Sequence, residues 1–381
     1  MVVSTKSQSG AGFYMDLKFG IFDHMERQRG VTLDREYAER LALIARADEL
    51  GFTGYHLAEH HHAPLCMAPS QSVFLAAASR ETSRIKLGTL VYLLPFYHPV
   101  RLIEEICMLD NLTRGRLMVG VGRGITAIEH TYWGWRPEEA QERYDEVFEI
   151  LLAGLTSDTL NFHGKYYNFH NLPLEMEPFQ KPYPDLWYAG TPDNAARYGM
   201  NFVIHDGPRV SATIARYKEV FEEARRLPGN KIGHVTHPVL GTSRHIFVAE
   251  TDREADAIAR ASWAVYQNNF AKRGMDGPGP ITLPNGTLMP VPNGGPATEL
   301  ARNFDHAMET DLVLVGSPET IRRRLATYPE EVDYYMIALQ WGSLTHEQAM
   351  RSLELFGREV IPHIPRAAAN RSNGASESAG K

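Results

Sequence analysis

The feature that most constrains this 381-residue chain is a rhythm: a short apolar run followed by an amphipathic run, repeated eight times. The first strand, Leu17–Asp23, precedes Leu33–Leu50. There Leu33, Tyr37, Leu41, Ile44 and Ala45 recur at helical spacing, and Gly51 follows as a stop. Tyr55–Glu59 precedes Ser70–Thr82, Ile85–Leu94 precedes Pro99–Leu112, and Arg116–Val121 precedes Pro137–Leu155. Leu186–Ala189 then pairs with Asp193–Tyr198, and Asn201–His205 with Ser211–Arg226. Val239–Ala249 pairs with Asp252–Arg273, and Val332–Leu339 with Thr345–Val360. Strands that alternate with helices form parallel βαβ units. Eight units predict an α/β fold, a (β/α)8 TIM barrel with insertions. An open doubly wound sheet is the alternative and usually has fewer units.

Two stretches break the rhythm. Leu160–Phe169 alternates around Gly164 and reads as a hairpin. Met275–Pro296 is dense in glycine and proline, without periodicity, and reads as a lid or binding loop. The barrel is expected to span 15–365 as one domain. Residues 1–14 read as a flexible leader and 366–381 as a disordered tail.

Composition narrows the function. The net charge of −7 is spread over 39 basic and 46 acidic residues, so no nucleic-acid footprint is expected. No run of about 18 apolar residues suggests a membrane span, and the first 14 residues lack an apolar signal core. Cys66 and Cys107 lack zinc-ligand spacing and read as buried thiols in a cytoplasmic protein.

Barrel active sites lie at the carboxyl ends of the strands. The second strand ends in Glu59-His60-His61-His62, and strand alternation puts His60 and His62 on one side and His61 on the other. A histidine there serves as acid, base, ligand or loop hydrogen-bond partner. The fourth strand runs into Gly120-Val121-Gly122-Arg123-Gly124. This run suits either phosphate contact by backbone amides and Arg123 or a tight turn. It lacks the G-x-G-x-x-G spacing of a dinucleotide loop. Gly190-Thr191-Pro192 opens a helix whose start can face an anion. Ser317-Pro318 reads as an ordinary helix cap. The apolar end of the third strand suits core packing or a flat aromatic ligand. Phe22, Tyr92, Trp133, Tyr266 and Trp341 are aromatic candidates for a pocket lining. Neither a Gly-x-Ser-x-Gly elbow nor a P-loop occurs.

Several segments, in this order, resemble the bacterial luciferase-like family of flavin-dependent monooxygenases and reductases. They are LKFGIFD, GYHLAEHH, IKLGTLVYLLPFYHPVRLIEE with LDNLTRGRLMVGVGRG, AGTPDNAARYG, VGSPETIRRRL and HEQAMRSLELFGREVIP. The resemblance runs from Leu17 to about Ile364. It implies a (β/α)8 barrel and a homodimer packed through the helices at Ser70–Thr82 and Pro99–Leu112. It also implies proton transfer by His60 beside the flavin and a non-prolyl cis bond at Leu90–Val91 behind the ring. Arg123 would contact the flavin phosphate, with Gly190 and Thr191 beside it. Glu59, Leu90, Val91, Gly122, Arg123, Gly190 and Thr191 then form the cofactor-binding set, with no metal ligand. The family's Glu-Ser pair is Gly190-Thr191 here, so amides and a hydroxyl replace a charge.

The reaction implied is oxygenation of a small apolar organic substrate by O2 and reduced FMN, through a flavin hydroperoxide. A separate flavin reductase would supply the reduced FMN as a diffusible cosubstrate. A deazaflavin-dependent hydride transfer on the same fold is the alternative. A metal-dependent barrel hydrolase using His60 and His62, or a non-catalytic flavin-binding protein, stands further off.

Overall fold

The computed structural model of the protein describes residues 17–204, 209–228, 233–271, 281–282, 288–289, 303–329 and 331–364. Its first half alternates β1 (Lys18–Asp23), α1 (Leu33–Glu49), β2 (Gly54–Leu57), α2 (Gln71–Glu81), β3 (Lys86–Leu93) and α3 (Pro99–Thr113). It continues through β4 (Leu117–Gly122), α4 (Ala127–Tyr132) and α5 (Ala140–Leu155) to a hairpin, β5 (Thr159–His163) and β6 (Asn168–Pro173). The second half runs β7 (Leu186–Tyr188), α6 (Pro192–Tyr198), β8 (Asn201–Ile204), α7 (Val210–Arg226), β9 (Leu240–Val248) and α8 (Asp252–Ala271). After β10 (Ile281–Thr282) and β11 (Leu288–Met289) come α9 (Phe304–Glu309), β12 (Val313–Gly316) and α10 (Pro318–Leu325). The chain then forms β13 (Tyr334–Ala338) and α11 (His346–Leu355).

The strands β1, β2, β3, β4, β7, β8, β9 and β13 pair in parallel and close when β13 meets β1. This is the predicted eight-stranded barrel with helices around it. The long β9 serves two partners in succession: Leu240–Thr242 pairs with β8, while His245–Val248 pairs with β12.

Small residues let the barrel interior fill. Phe22, His56, Gly88 and Met118 stand in register across four neighbouring strands. A Cβ at Gly20 would lie 1.7 Å from the Tyr334 hydroxyl, so that ring occupies the space a side chain would need. The hydroxyl lies 3.2 Å from His56 Nε2. Burial pushes His56 down to about 3, so the ring is neutral across the ordinary pH range.

Local signals set the helix ends. Gly51, at φ +84°, follows α1 as predicted. Ser317 caps α10, its hydroxyl accepting from the Thr320 amide at 3.4 Å. Thr345 and Gln348 form a reciprocal capping box on α11.

Several expectations need correction. β2 ends at Leu57, so alternation does not reach the three histidines, and His62 is left-handed at φ +58°. Tyr92 faces outward, with its hydroxyl 2.9 Å from Ser72 Oγ, and lines no barrel pocket. Trp341 is enclosed in a second apolar cluster with Trp263 and Tyr266. The elements α4, α9 and β12 were absent from the sequence reading. The segments 1–14 and 366–381 lie outside the described residues. So does the lid stretch 275–296, except β10 and β11, which pair antiparallel.

Candidate functional site

His60 and the predicted cofactor-binding residues stand in the last part of β3 and β4 or just past the carboxyl ends of β2, β4 and β7. Beyond β2, His60 Nδ1 lies 3.2 Å from Glu129 Oε1. The same oxygen accepts the His61 amide at 2.9 Å. His24, past β1, stacks on His60 with ring centres 5.9 Å apart and planes tilted by 21°. Burial pushes the Glu129 carboxyl up, but the His60 and His61 contacts outweigh it and hold it below its ordinary value.

Glu59 points into the protein. Its oxygens accept from Tyr97 Oη at 2.8 Å and the Leu93 amide at 3.2 Å, and one lies 2.9 Å from His61 Nε2. Its carboxyl therefore ties the end of β2 to the end of β3. Burial pushes its pKa up despite these bonds. His61 and His62 both pack on Trp133, at 4.3 and 5.9 Å, and Phe96 stacks on the same indole at 4.6 Å. The predicted split of His61 from its neighbours is thus replaced by a shared aromatic wall, with His60 apart.

The Leu90–Val91 peptide bond is cis. It falls where the β3–β4 register slips: Thr89 faces Val119, yet Tyr92 faces Val121. Three steps on β3 match two on β4, which is a bulge. The glycines opposite make the room. A Cβ at Gly120 would come within 2.3 Å of the Thr89 carbonyl oxygen, and one at Gly122 within 2.4 Å of Val91 Cγ2. The glycine spacing of this turn therefore has a packing cause, whatever else it serves. Arg123 follows with its side chain exposed. Gly120 pairs with Trp187, so the ends of β4 and β7 are neighbours. Gly190 and Thr191 are exposed just past β7. Thr191 is the N-cap of α6, and its side chain makes no cap bond. Asp193 in the first turn of α6 is paired with Arg216 at 2.6 Å.

Sequence reasoning missed Glu129, His24 and Glu26. Glu129 is 69 residues from His60, and no local pattern joins them. Glu26 is buried past β1 and accepts from the Gly342 amide. Burial pushes its pKa up to about 8. Nearby, a cavity of about 390 Å³ opens among Arg27, Gln28, Asn268, Asn269, Gln340 and Ser343. Among the described residues, no group of three or more His, Cys, Asp or Glu is placed to hold a metal ion. No helix among them is long and apolar enough to cross a membrane.

Comparison with known proteins bears on the family and the fold. An uncharacterised protein of Sinorhizobium fredii is 33% identical over 91% of this chain and 97% of its own length. The oxygenase component of the flavin-dependent trigonelline monooxygenase of Acinetobacter baylyi is 25% identical, over 93% of this chain and 98% of its own. A crystal structure of a monooxygenase from Streptomyces bottropensis superposes with a TM-score of 0.75 at 25% identity, covering 92% of this chain and 100% of that one. The model of the luciferase-like monooxygenase family matches residues 17–333, and the chain belongs to that family of enzymes.

Proposed function

We propose that this protein is the oxygenase of a two-component system. It takes reduced FMN from a separate reductase and uses O2 to oxygenate a small apolar organic substrate. The observation that carries the reading is His60, held by a buried carboxylate at the barrel mouth, just past the strand that pairs with the bulged β3.

The residues present fit a flavin. Leu90 and Val91 offer an apolar surface beside the barrel interior, packed against Phe22, Met118 and Trp187. Thr126 Oγ1, Glu129 Oε2 and His130 Nδ1 are buried without a hydrogen-bond partner among the described residues. Unpaired polar atoms of this kind cost about 1–3 kcal/mol each, and a polar ligand edge or water relieves that cost. Arg123, with the amides at Gly190 and Thr191, suits the phosphate end. The reduced cofactor, when bound, supplies two electrons, so that one oxygen atom enters the substrate and the other leaves as water. His60 holds or delivers the proton at Nε2, Glu129 orients the ring, and the aromatic wall of Phe96 and Trp133 limits water.

A homodimer through α2 and α3 is part of the same reading. Val73, Met108 and Leu112 are exposed there, and Ser72 bonds Glu105 across the two helices at 2.9 Å.

The test is anaerobic titration with reduced FMN and, separately, with reduced deazaflavin, followed by mixing with oxygenated buffer and a substrate panel under ¹⁸O2. Tight reduced-FMN binding and one ¹⁸O atom in a product support the oxygenase. Preference for the deazaflavin, with no label incorporated, overturns it in favour of hydride transfer.

A further inference from the structure

We infer that Glu129 is the positioning residue of this site: it fixes His60 in the tautomer protonated on Nδ1 and so assigns proton transfer to Nε2. The inference deepens the oxygenase reading, because it rests on His60 being the group that handles the proton.

The argument starts from one oxygen atom. Glu129 Oε1 lies 3.2 Å from His60 Nδ1 and accepts the His61 amide at 2.9 Å. A carboxylate is acceptor-only, so the ring nitrogen that faces it must donate. The bonds from His60 and His61 outweigh burial and keep this carboxyl ionised at neutral pH. In a neutral imidazole, a proton on Nδ1 leaves the lone pair on Nε2. The backbone bond adds the second constraint. By holding the His61 amide and the His60 ring on one atom, Glu129 limits rotation of the ring relative to its own chain. His24, stacked at 5.9 Å, limits tilt from the other side. Free histidine prefers the opposite tautomer, with the proton on Nε2. Without the carboxylate, His60 would carry its proton on Nε2 instead. The same logic explains the placement of α4. This short helix follows the Gly-rich turn, and its third residue carries the carboxylate beneath the β2 end. The role is distinct from that of Glu59, whose carboxyl faces His61, Leu93 and Tyr97.

The test needs neither cofactor nor turnover. The full chain is labelled with ¹⁵N-histidine, and the His60 ring signals are identified by their loss in His60→Gln. Two-bond ¹⁵N–¹H correlations at a pH where the ring is neutral then report the tautomer. Wild type is expected to carry the proton on Nδ1. Glu129→Gln keeps a side-chain oxygen acceptor and is expected to keep that tautomer. Glu129→Ala is expected to lose the Nδ1–H pattern and gain the Nε2–H pattern, with the signals of distant histidines such as His56 unmoved. A merely structural role would leave the tautomer as it is. An Nε2–H ring in wild type, or an unchanged tautomer in Glu129→Ala, overturns the inference. Should Glu129→Ala fail to fold, the wild-type and Glu129→Gln spectra still decide it. Because flavin is absent, this result stands apart from the oxygenation test: either can fail while the other holds.

Discussion

His60 and Glu26 both stand just past strand ends, His60 beyond β2 and Glu26 beyond β1. His60→Ala is expected to lower turnover roughly 100-fold or more, the range of a lost acid–base group, while reduced-flavin affinity changes only a few-fold. Single-turnover kinetics beside a binding titration separate the two, and unchanged turnover removes His60 from the mechanism. Glu26 gives a prediction in pH. Its native pKa is raised from 4.5 to about 8, mainly by burial. Between those values the unfolded chain has released a proton that the native state keeps, so stability falls as pH rises through this window. Glu26→Gln removes the titration and can still accept from the Gly342 amide. Its unfolding free energy should agree with wild type near pH 5 and exceed it by ~4 kcal/mol near pH 9. Equal stability at both pH values would mean that the native carboxyl is not perturbed.

At the scale of elements, β3 and β4 pack backbone against backbone beside the site. The obstacle at Gly120 is backbone, the Thr89 carbonyl, which cannot swing aside as a side chain can. Gly120→Ala should therefore cost about 3 kcal/mol in urea unfolding, the upper range for overpacking. A cost below 1 kcal/mol would show that the strands separate easily. The same pair explains where sequence reasoning went astray. Strand alternation would turn Leu90 and Tyr92 to the same face. The bulge instead sets Leu90 and Val91 both against the interior cluster and sends Tyr92 out to the helices. Period-two reading works only while pairing is regular. It failed at the histidines for a related reason, since β2 had already ended. By contrast, the Ser317 cap and the Gly51 stop depend on residues within four positions, and both were legible.

For the whole molecule, the exposed apolar surface on α2 and α3 is the testable feature. Val73 is 72% exposed and Met108 52%, and both lie on the face expected to pair two copies. Met108→Glu should convert a dimer to a monomer in light scattering while leaving the far-UV spectrum unchanged. A wild-type monomer would refute the dimer outright.

The sequence alone determined the barrel. Its strands and helices are written in local periodicity, cap residues and turn glycines, each acting over a few positions. It also determined which strand ends carry histidine, arginine and glycine. Only the tertiary structure decided how those ends meet. His60 finds Glu129 across 69 residues, Glu59 turns inward to hold β3, and Gly120 and Gly122 answer a bulge on another strand. These are contacts between elements far apart in the chain. Their partners are selected by barrel closure and register, which no local pattern encodes.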